Sequence, residues 1–319
     1  MVRLLSARLA HAVLLLLAVS VATFLVVELA PGDFLAEMRL DPRISDETVE
    51  RLRVRYGLDA PLPVRYGRWL ASVGRGELGY SFAYGRPVGE LIAPRLRNTL
   101  LLTGVTTTIA WCLALALGIA SARRPGGLFD RSTAFLTSGL LALPELPLAI
   151  FALGLAVRVP WLPVGGMRSL DAAVGGSSLV DLGRHLLLPT AVLVLAGLPL
   201  LVRHVRTAVA EALSTPHVDA ARGHGIGGWR LLVGHVLPTA ANPLLSLFGL
   251  SVGALVSGSL AVEVVMGWPG LGPLVLAAVL ARDLHVVVAG ALVSCCFLIV
   301  GNLLADLALR WLDPRLREV

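Results

Sequence analysis

Six apolar stretches organise this chain: residues 9–30, 98–121, 132–157, 185–202, 240–262 and 284–309. Each is about as long as the ~20 residues a helix needs to cross the hydrocarbon core of a bilayer, and about twice what a barrel strand needs. A bilayer core has no water to satisfy free backbone groups, so runs of this length must be helices that bond internally. The expectation is an all-α membrane protein with six transmembrane helices. Composition agrees: 56% of residues are hydrophobic and 15% charged, against about 45–50% and 25% in soluble domains.

Orientation follows from arginine. Twelve arginines lie in the segments that an inside N-terminus would place in the cytoplasm, and four (Arg158, Arg168, Arg184, Arg282) in the short loops on the other side. That bias predicts N-in and C-in. The first run is longer than the 7–15 residues of a signal-peptide core and leads into Pro31-Gly32-Asp33 without a small-x-small site, so it is expected to stay as the first span, 1–30. Residues 31–97 form a polar insertion outside the membrane. Within it, 44–57 and 61–73 carry helical spacing (Val49, Leu52, Tyr56; Val64, Trp69, Leu70). A helical core over 98–309 and a basic tail, 310–319, complete the division.

Between the fourth and fifth runs lies a polar island, 211–238, within a loop of about 204–239. Ser214-Thr215-Pro216 reads as a hydroxyl cap followed by proline in the first turn. Asp219 suits the positive helix end, and Gly223 and Gly225 a helix stop. The result is a helix of about two turns, too short to hold in water alone, so it must lie against something. The chain contains no lysine, which excludes a P-loop, a Schiff base or a Ser-Lys dyad here. Cys112, Cys295 and Cys296 read as small core residues. The four histidines 204, 217, 224 and 235 spread over different faces, so no metal or catalytic site is expected. Glu145, flanked by Pro144 and Pro147, is an ionisable group inside a span; such groups usually face a cavity, and the prolines loosen the helix around it. With Ser246, Ser251 and Ser257 of the fifth span it forms the expected lining of a path. Glu211 is expected to pair with Arg206 or to serve docking.

Asp219-Ala220-Ala221, Gly225 four residues on, and Leu237-Pro238 resemble the EAA motif of permease subunits of bacterial ATP-binding-cassette importers. Asp219 stands for the motif's Glu, and His235 for its Ile. Residues 217–225 and 235–238 are similar to the version found in the dipeptide/oligopeptide/nickel branch. Further segments agree with that branch: Leu29 to Asp33, Tyr56 to Leu62, Glu263 to Gly272 (with Met266 where the branch has an aromatic), Asn302 to Asp306, and Asp313-Pro314-Arg315. The resemblance covers essentially the whole chain.

The resemblance implies a type I importer (MetI-like) permease fold in the bacterial cytoplasmic (inner) membrane. It assigns ATPase coupling to Glu211, Asp219, Ala220, Ala221, Arg222, Gly225, Leu237 and Pro238, with both alanines close against the partner. Trp268, Pro269 and Gly270 become an extracytoplasmic contact for a binding protein. The implied partners are a second permease in a heterodimer, two cytoplasmic ATPases that carry ATP and Mg, and a substrate-binding protein. The chain itself binds no cofactor and no nucleic acid. Peptides are the expected cargo, with nickel or an opine or metallophore as the alternative. A stand-alone secondary transporter would show an inverted repeat of broken spans, and an intramembrane hydrolase would show H-E-x-x-H or G-x-S-x-G. The sequence has neither signature.

Overall fold

In a computed structural model, residues 2–29, 45–55, 59–169 and 179–312 are described. In chain order they form α1 (Val2–Leu29), α2 (Asp46–Arg55), α3 (Leu62–Val73), the two-residue antiparallel strands β1 (Tyr80–Ser81) and β2 (Arg86–Pro87), and α4 (Val88–Arg123). There follow α5 (Leu128–Leu141), α6 (Glu145–Arg158), α7 (Leu179–Leu213), α8 (Pro216–Gly223) and α9 (Gly228–Leu231). A π-helical turn (Leu232–Val236) then leads into α10 (Leu237–Val265), α11 (Leu271–Leu280) and α12 (Leu284–Leu312). The motif segments around 30–33, 56–58 and 313–315 lie outside the described residues.

Five helical stretches, 8–29, 88–123, 179–213, 228–265 and 284–309, are long and apolar enough to cross a membrane. The third apolar run differs from expectation. It is two helices, α5 and α6, bent by 95° across a short break. Pro144 has no N–H to give and bars Leu143 from helical geometry. α5 therefore closes with tight bonds from Ala142 N to Gly139 O and Leu143 N to Leu140 O, and α6 restarts with Pro144 as its N-cap.

One compact unit comprises the described residues of 99–268 and 297–312. Its core holds Ala110, Ala114 and Ala122 of α4, Val205, Val209 and Ala212 of α7, and Ala240 and Leu244 of α10. Glycines set the closest approaches. A Cβ on Gly118 would lie 2.6 Å from Val205 Cγ1 and 3.0 Å from the Arg206 backbone N, and one on Gly253 would lie 2.4 Å from Leu298. Small residues at such crossings are how helices associate where lipid offers no hydrophobic drive.

The second unit comprises residues 2–98 and 269–296. Phe24 of α1, Tyr66 and Trp69 of α3, and Leu284 and Val288 of α12 pack together there. The expected helices at 44–57 and 61–73 are present as α2 and α3. Trp69 is buried as the spacing requires, but Val64 and Leu70 are exposed and Tyr66 takes the inner place. The β1–β2 hairpin is tied down by Asp283, whose Oδ2 accepts the Ser81 hydroxyl (2.5 Å) and the Ala83 N–H (3.2 Å). Two expectations fail in these regions. Residues 271–280, inside the short outer loop expected between the fifth and sixth runs, form α11. α4 begins at Val88, ten residues before the expected boundary at 98, because buried Val88 and Ile92 give it an inner face that the intervening charges concealed. The cysteines are not core residues: Cys112 and Cys296 are exposed and Cys295 partly so.

Candidate functional site

The polar island folds as the expected short helix, α8, eight residues long. Its start is capped differently from expectation. The Thr215 hydroxyl donates back to Ala212 O (2.6 Å) and the Ser214 hydroxyl to Glu211 O (2.8 Å). Both therefore satisfy the last carbonyls of α7, and neither reaches the free N–H groups of α8. Proline at the first position and Asp219 in the first turn are as expected.

The end of α8 is a Schellman closure. Ile226 N–H bonds Ala221 O (3.1 Å) and Gly225 N–H bonds Arg222 O (2.9 Å). Gly225 holds the left-handed conformation at φ +79, while Gly223 is simply the last helical residue.

The two faces of α8 are sharply different. Val218 is fully buried and Ala221 nearly so, within the core formed by α4, α7 and the start of α10. Asp219, Ala220, Arg222 and Gly223 are exposed. The adjacent alanines, both expected against a partner, thus divide: Ala221 faces this chain's own core and only Ala220 is free for contact. An i,i+1 pair sits about 100° apart on a helix, so one buried face cannot take both. Asp219 pairs with Arg222 at 3.0 Å across the exposed surface.

Further contacts fix the island to the bundle. Thr239 Oγ1 donates to His235 O (2.7 Å), which leaves its lone pairs for His217 Nε2 at 2.9 Å. His217 therefore carries its proton on Nε2 and ties α8 to the first turn of α10. Pro238, exposed at that first turn, has no N–H for the carbonyl four residues back and its ring crowds it; the backbone widens into the π turn immediately before it. Leu237 is half-buried beside the same core. The expected Glu211–Arg206 pair is not formed. Arg206 instead makes two bonds to Asp130 at the start of α5, from Nε to Oδ1 (2.5 Å) and from its terminal N to Oδ2 (2.8 Å). Asp130 Oδ2 also accepts Gly126 N–H (2.8 Å). Asp130 lies closer than Glu211 to being fully buried and meets Arg206 through two bonds, which a flexible exposed Glu211 does not match. Glu211 is left exposed.

The expected path residues scatter. Glu145 opens α6, half-buried, with Oε1 lacking a partner among the described residues. Its Oε2 stands 3.2 Å from where a Cβ on Gly258 of α10 would lie. Ser246 and Ser257 of α10 are exposed. Ser251 is occupied in the core: Trp111 Nε1 donates to its hydroxyl (3.0 Å), which donates to Phe248 O (2.8 Å). Half-buried Ser251 thus has its hydroxyl already engaged. Trp268 is likewise withdrawn as a contact for an outside partner, because it is fully buried among Leu102, Val192, Val262 and Met266. An indole of that size gains more from apolar burial than from exposure. Pro269 is partly exposed and Gly270 buried, as the N-cap of α11. Among the described residues no three His, Cys, Asp or Glu side chains converge on a common point.

Sequence reasoning missed how Asp130 and Arg206 pair, how His217 ties to Thr239, and the exposure of Trp229. The first two are 76 positions apart, which no local spacing reveals. Trp229, 70% exposed on α9, carried a signal in the two glycines before it, Gly227 and Gly228, which open that helix.

Known proteins match this arrangement over nearly its whole length. Residues 114–318 match the binding-protein-dependent transport system inner membrane component family, and residues 1–103 match that system's N-terminal membrane component. The oligopeptide transport system permease protein AppB of Bacillus subtilis is 35% identical over 95% of both chains. The probable D,D-dipeptide transport system permease protein DdpB of Escherichia coli is 32% identical over 95% of this chain and 94% of that one. The MetNI methionine ABC transporter, in inward-facing form, shares the fold with a TM-score of 0.55 at 19% identity, over 70% of this chain and 96% of that one. The chain therefore belongs to the binding-protein-dependent transport family, as an integral, multi-pass membrane permease subunit of an ABC importer.

Proposed function

We propose that this permease forms half of a translocation path for peptides and is driven by cytoplasmic ATPases that dock on α8. The single observation that carries the docking is the two-faced geometry of α8: Val218 and Ala221 anchor it, and Asp219, Ala220, Arg222 and Gly223 stand outward. A short helix presented on a rigid end is the element that a groove on a partner recognises. Gly225, Leu237 and Pro238 act from behind it, by ending α8 and by setting the π turn and the start of α10. Exposed Glu211 stands at the rim.

In this reading the chain crosses the membrane six times, N-in and C-in, with the bent α5–α6 pair as the third crossing. Residues 31–97 lie outside, the core is 98–309, the loop 204–239 is cytoplasmic, and 310–319 form the inner tail. The partners are a second permease as a heterodimer, two ATPases bearing ATP and Mg, and an extracytoplasmic binding protein whose contact surface includes Pro269. This chain supplies no nucleotide chemistry of its own. Glu145, Ser246 and Ser257 face the path. Peptide cargo is supported by the names of the relatives, among them the putative peptide permease of Brucella suis, 34% identical over 95% of both chains.

The test is Ala220→Arg, which keeps a good helix former on the exposed face and adds bulk where a partner would sit. The variant is expected to insert and elute like the parent but to lose capture of the ATPase and uptake of a labelled dipeptide in the assembled importer. Undiminished capture would remove α8 as the docking element; capture with no peptide uptake even by the parent importer would remove the cargo assignment alone.

A further inference from the structure

A cavity of about 550 Å³ lies at the α8 end of the helical core, lined by Arg123 and Arg124 at the end of α4, Arg222 of α8, Phe129 of α5, and Leu232 and Val236 of the π turn. That volume falls within the roughly 300–1,000 Å³ of small-ligand sites. Three guanidinium-bearing residues line it and no carboxylate does. Arg222 is already shared with Asp219. Arg123 and Arg124 are exposed and take part in no ion pair among the described residues.

The arginine turn is also held in place. Gly127 N–H bonds Arg124 O (3.1 Å), Gly126 sits at φ +75, and its N–H is fixed by Asp130, which Arg206 clamps from the other side. Two charges with no ion-pair partner among the described residues, on a turn pinned by the Asp130–Arg206 pair, make a prearranged anion site.

The walls point to the kind of anion. Phe129 gives the cavity an exposed apolar wall, above buried Leu232 and Val236. Beside it, Leu128 is 84% exposed and Phe129 50% exposed, at the start of a helix otherwise suited to lipid. An inorganic anion would gain nothing from those side chains, whereas a phosphate ester with hydrocarbon attached would use both surfaces. Basic clefts between helices at a membrane boundary have this preference.

We propose that the Arg123–Arg124 cavity binds a phosphate ester, the headgroup of an anionic phospholipid, with its chains against Leu128 and Phe129. The site lies beside α8, whose Arg222 shares its lining. It does not depend on the ATPase docking argued above.

The test uses the full-length permease purified in mild detergent with dioleoyl phosphatidylglycerol or dioleoyl phosphatidylcholine, and reads retained lipid by native mass spectrometry. The parent is expected to hold phosphatidylglycerol under conditions that strip phosphatidylcholine. Arg123→Gln/Arg124→Gln should retain it about 25-fold less well, for two contacts each worth on the order of fivefold. Arg158→Gln, at the end of α6 and away from the cavity, should behave as the parent. Single variants at Arg123 and at Arg124 keep the comparison open should the double variant elute as aggregate; each should show an intermediate loss. Equal retention by the arginine variants, or equal loss in Arg158→Gln, overturns the site. Displacement of the lipid by millimolar inorganic phosphate overturns the lipid as source and leaves a soluble phosphate in its place. Arginine variants that keep the lipid but fail to capture the ATPase assign these arginines to that subunit and overturn the proposal.

Discussion

Glycines 223 and 225 are two residues apart, and the same substitution should have opposite effects at each. Neither has an atom within 4 Å of where a Cβ would be placed, so crowding contributes nothing and only the backbone decides. Gly223 is the last helical residue of α8. Alanine there gains helix propensity, up to about 1 kcal/mol in a helix interior and roughly half that at an end. Gly225 sits at φ +79, where an L residue costs about 1–2 kcal/mol; reduced freedom of the opened chain returns about 0.5 kcal/mol of this. The net expectations are about 0.5 kcal/mol of added stability for Gly223→Ala and about 1 kcal/mol of lost stability for Gly225→Ala. The difference, about 1.5 kcal/mol, is roughly a tenfold separation in local opening. The amides that report it are those of His224, Gly225 and Ile226, which close onto Ala220, Arg222 and Ala221. Hydrogen exchange with mass spectrometry on the full permease in nanodiscs, over peptides covering 216–227, measures this directly. Protection moving in the same direction in both variants, or unchanged in Gly225→Ala, would refute the Schellman closure as what ends α8.

Asp130→Asn leaves the shape of the clamp but removes its charge, and with it the charge-assisted character of two bonds from Arg206. A loss of about 1.5–3 kcal/mol is expected, read as a lower thermal unfolding midpoint of the purified chain, with faster exchange at Gly126. Ser81→Ala removes a fully buried hydroxyl from Asp283 and from Tyr84 N–H. The expected cost is about 1–3 kcal/mol, confined to residues 79–87, and seen as proteolytic cleavage in the hairpin while the helical core stays resistant.

Much of the architecture was readable because lipid imposes one rule on backbone polarity, and the apolar runs obey it. The fifth run, expected at 240–262, lies inside α10 at 237–265, and the sixth begins at Leu284 in both readings. Position alone could not say how the third run would behave. Pro144 signals a break, but the 95° turn depends on what the two halves find to rest on. α8 was legible from Pro216, Asp219 and Gly225 because caps are local chemistry. Which alanine faced inward was not, because the phase of a two-turn helix is set by its neighbours in space. The burial of Trp268 and the engagement of the Ser251 hydroxyl were hidden for the same reason. A serine in a span has a polar handle that reads as lining a path until a partner such as Trp111 claims it, and no local spacing shows the wall of apolar side chains that closes over Trp268.

α7 runs unbroken for 35 residues from Leu179 to Leu213, which at 1.5 Å per residue is a rod of about 52 Å. Its C-terminal turn is the one whose carbonyls Ser214 and Thr215 close, so α8 is fastened to the end of this rod with no slack between. A tilt of about 5° imposed at that end would carry the far end through about 4–5 Å if the rod were stiff. It is not uniformly stiff. Pro189 and Pro199 lie within it, each removing a backbone bond, so leverage is spent at two fixed points along its length. A tilt applied at the loop end would thereby be divided among three segments, and the positions of the two prolines set how much of it reaches the other end.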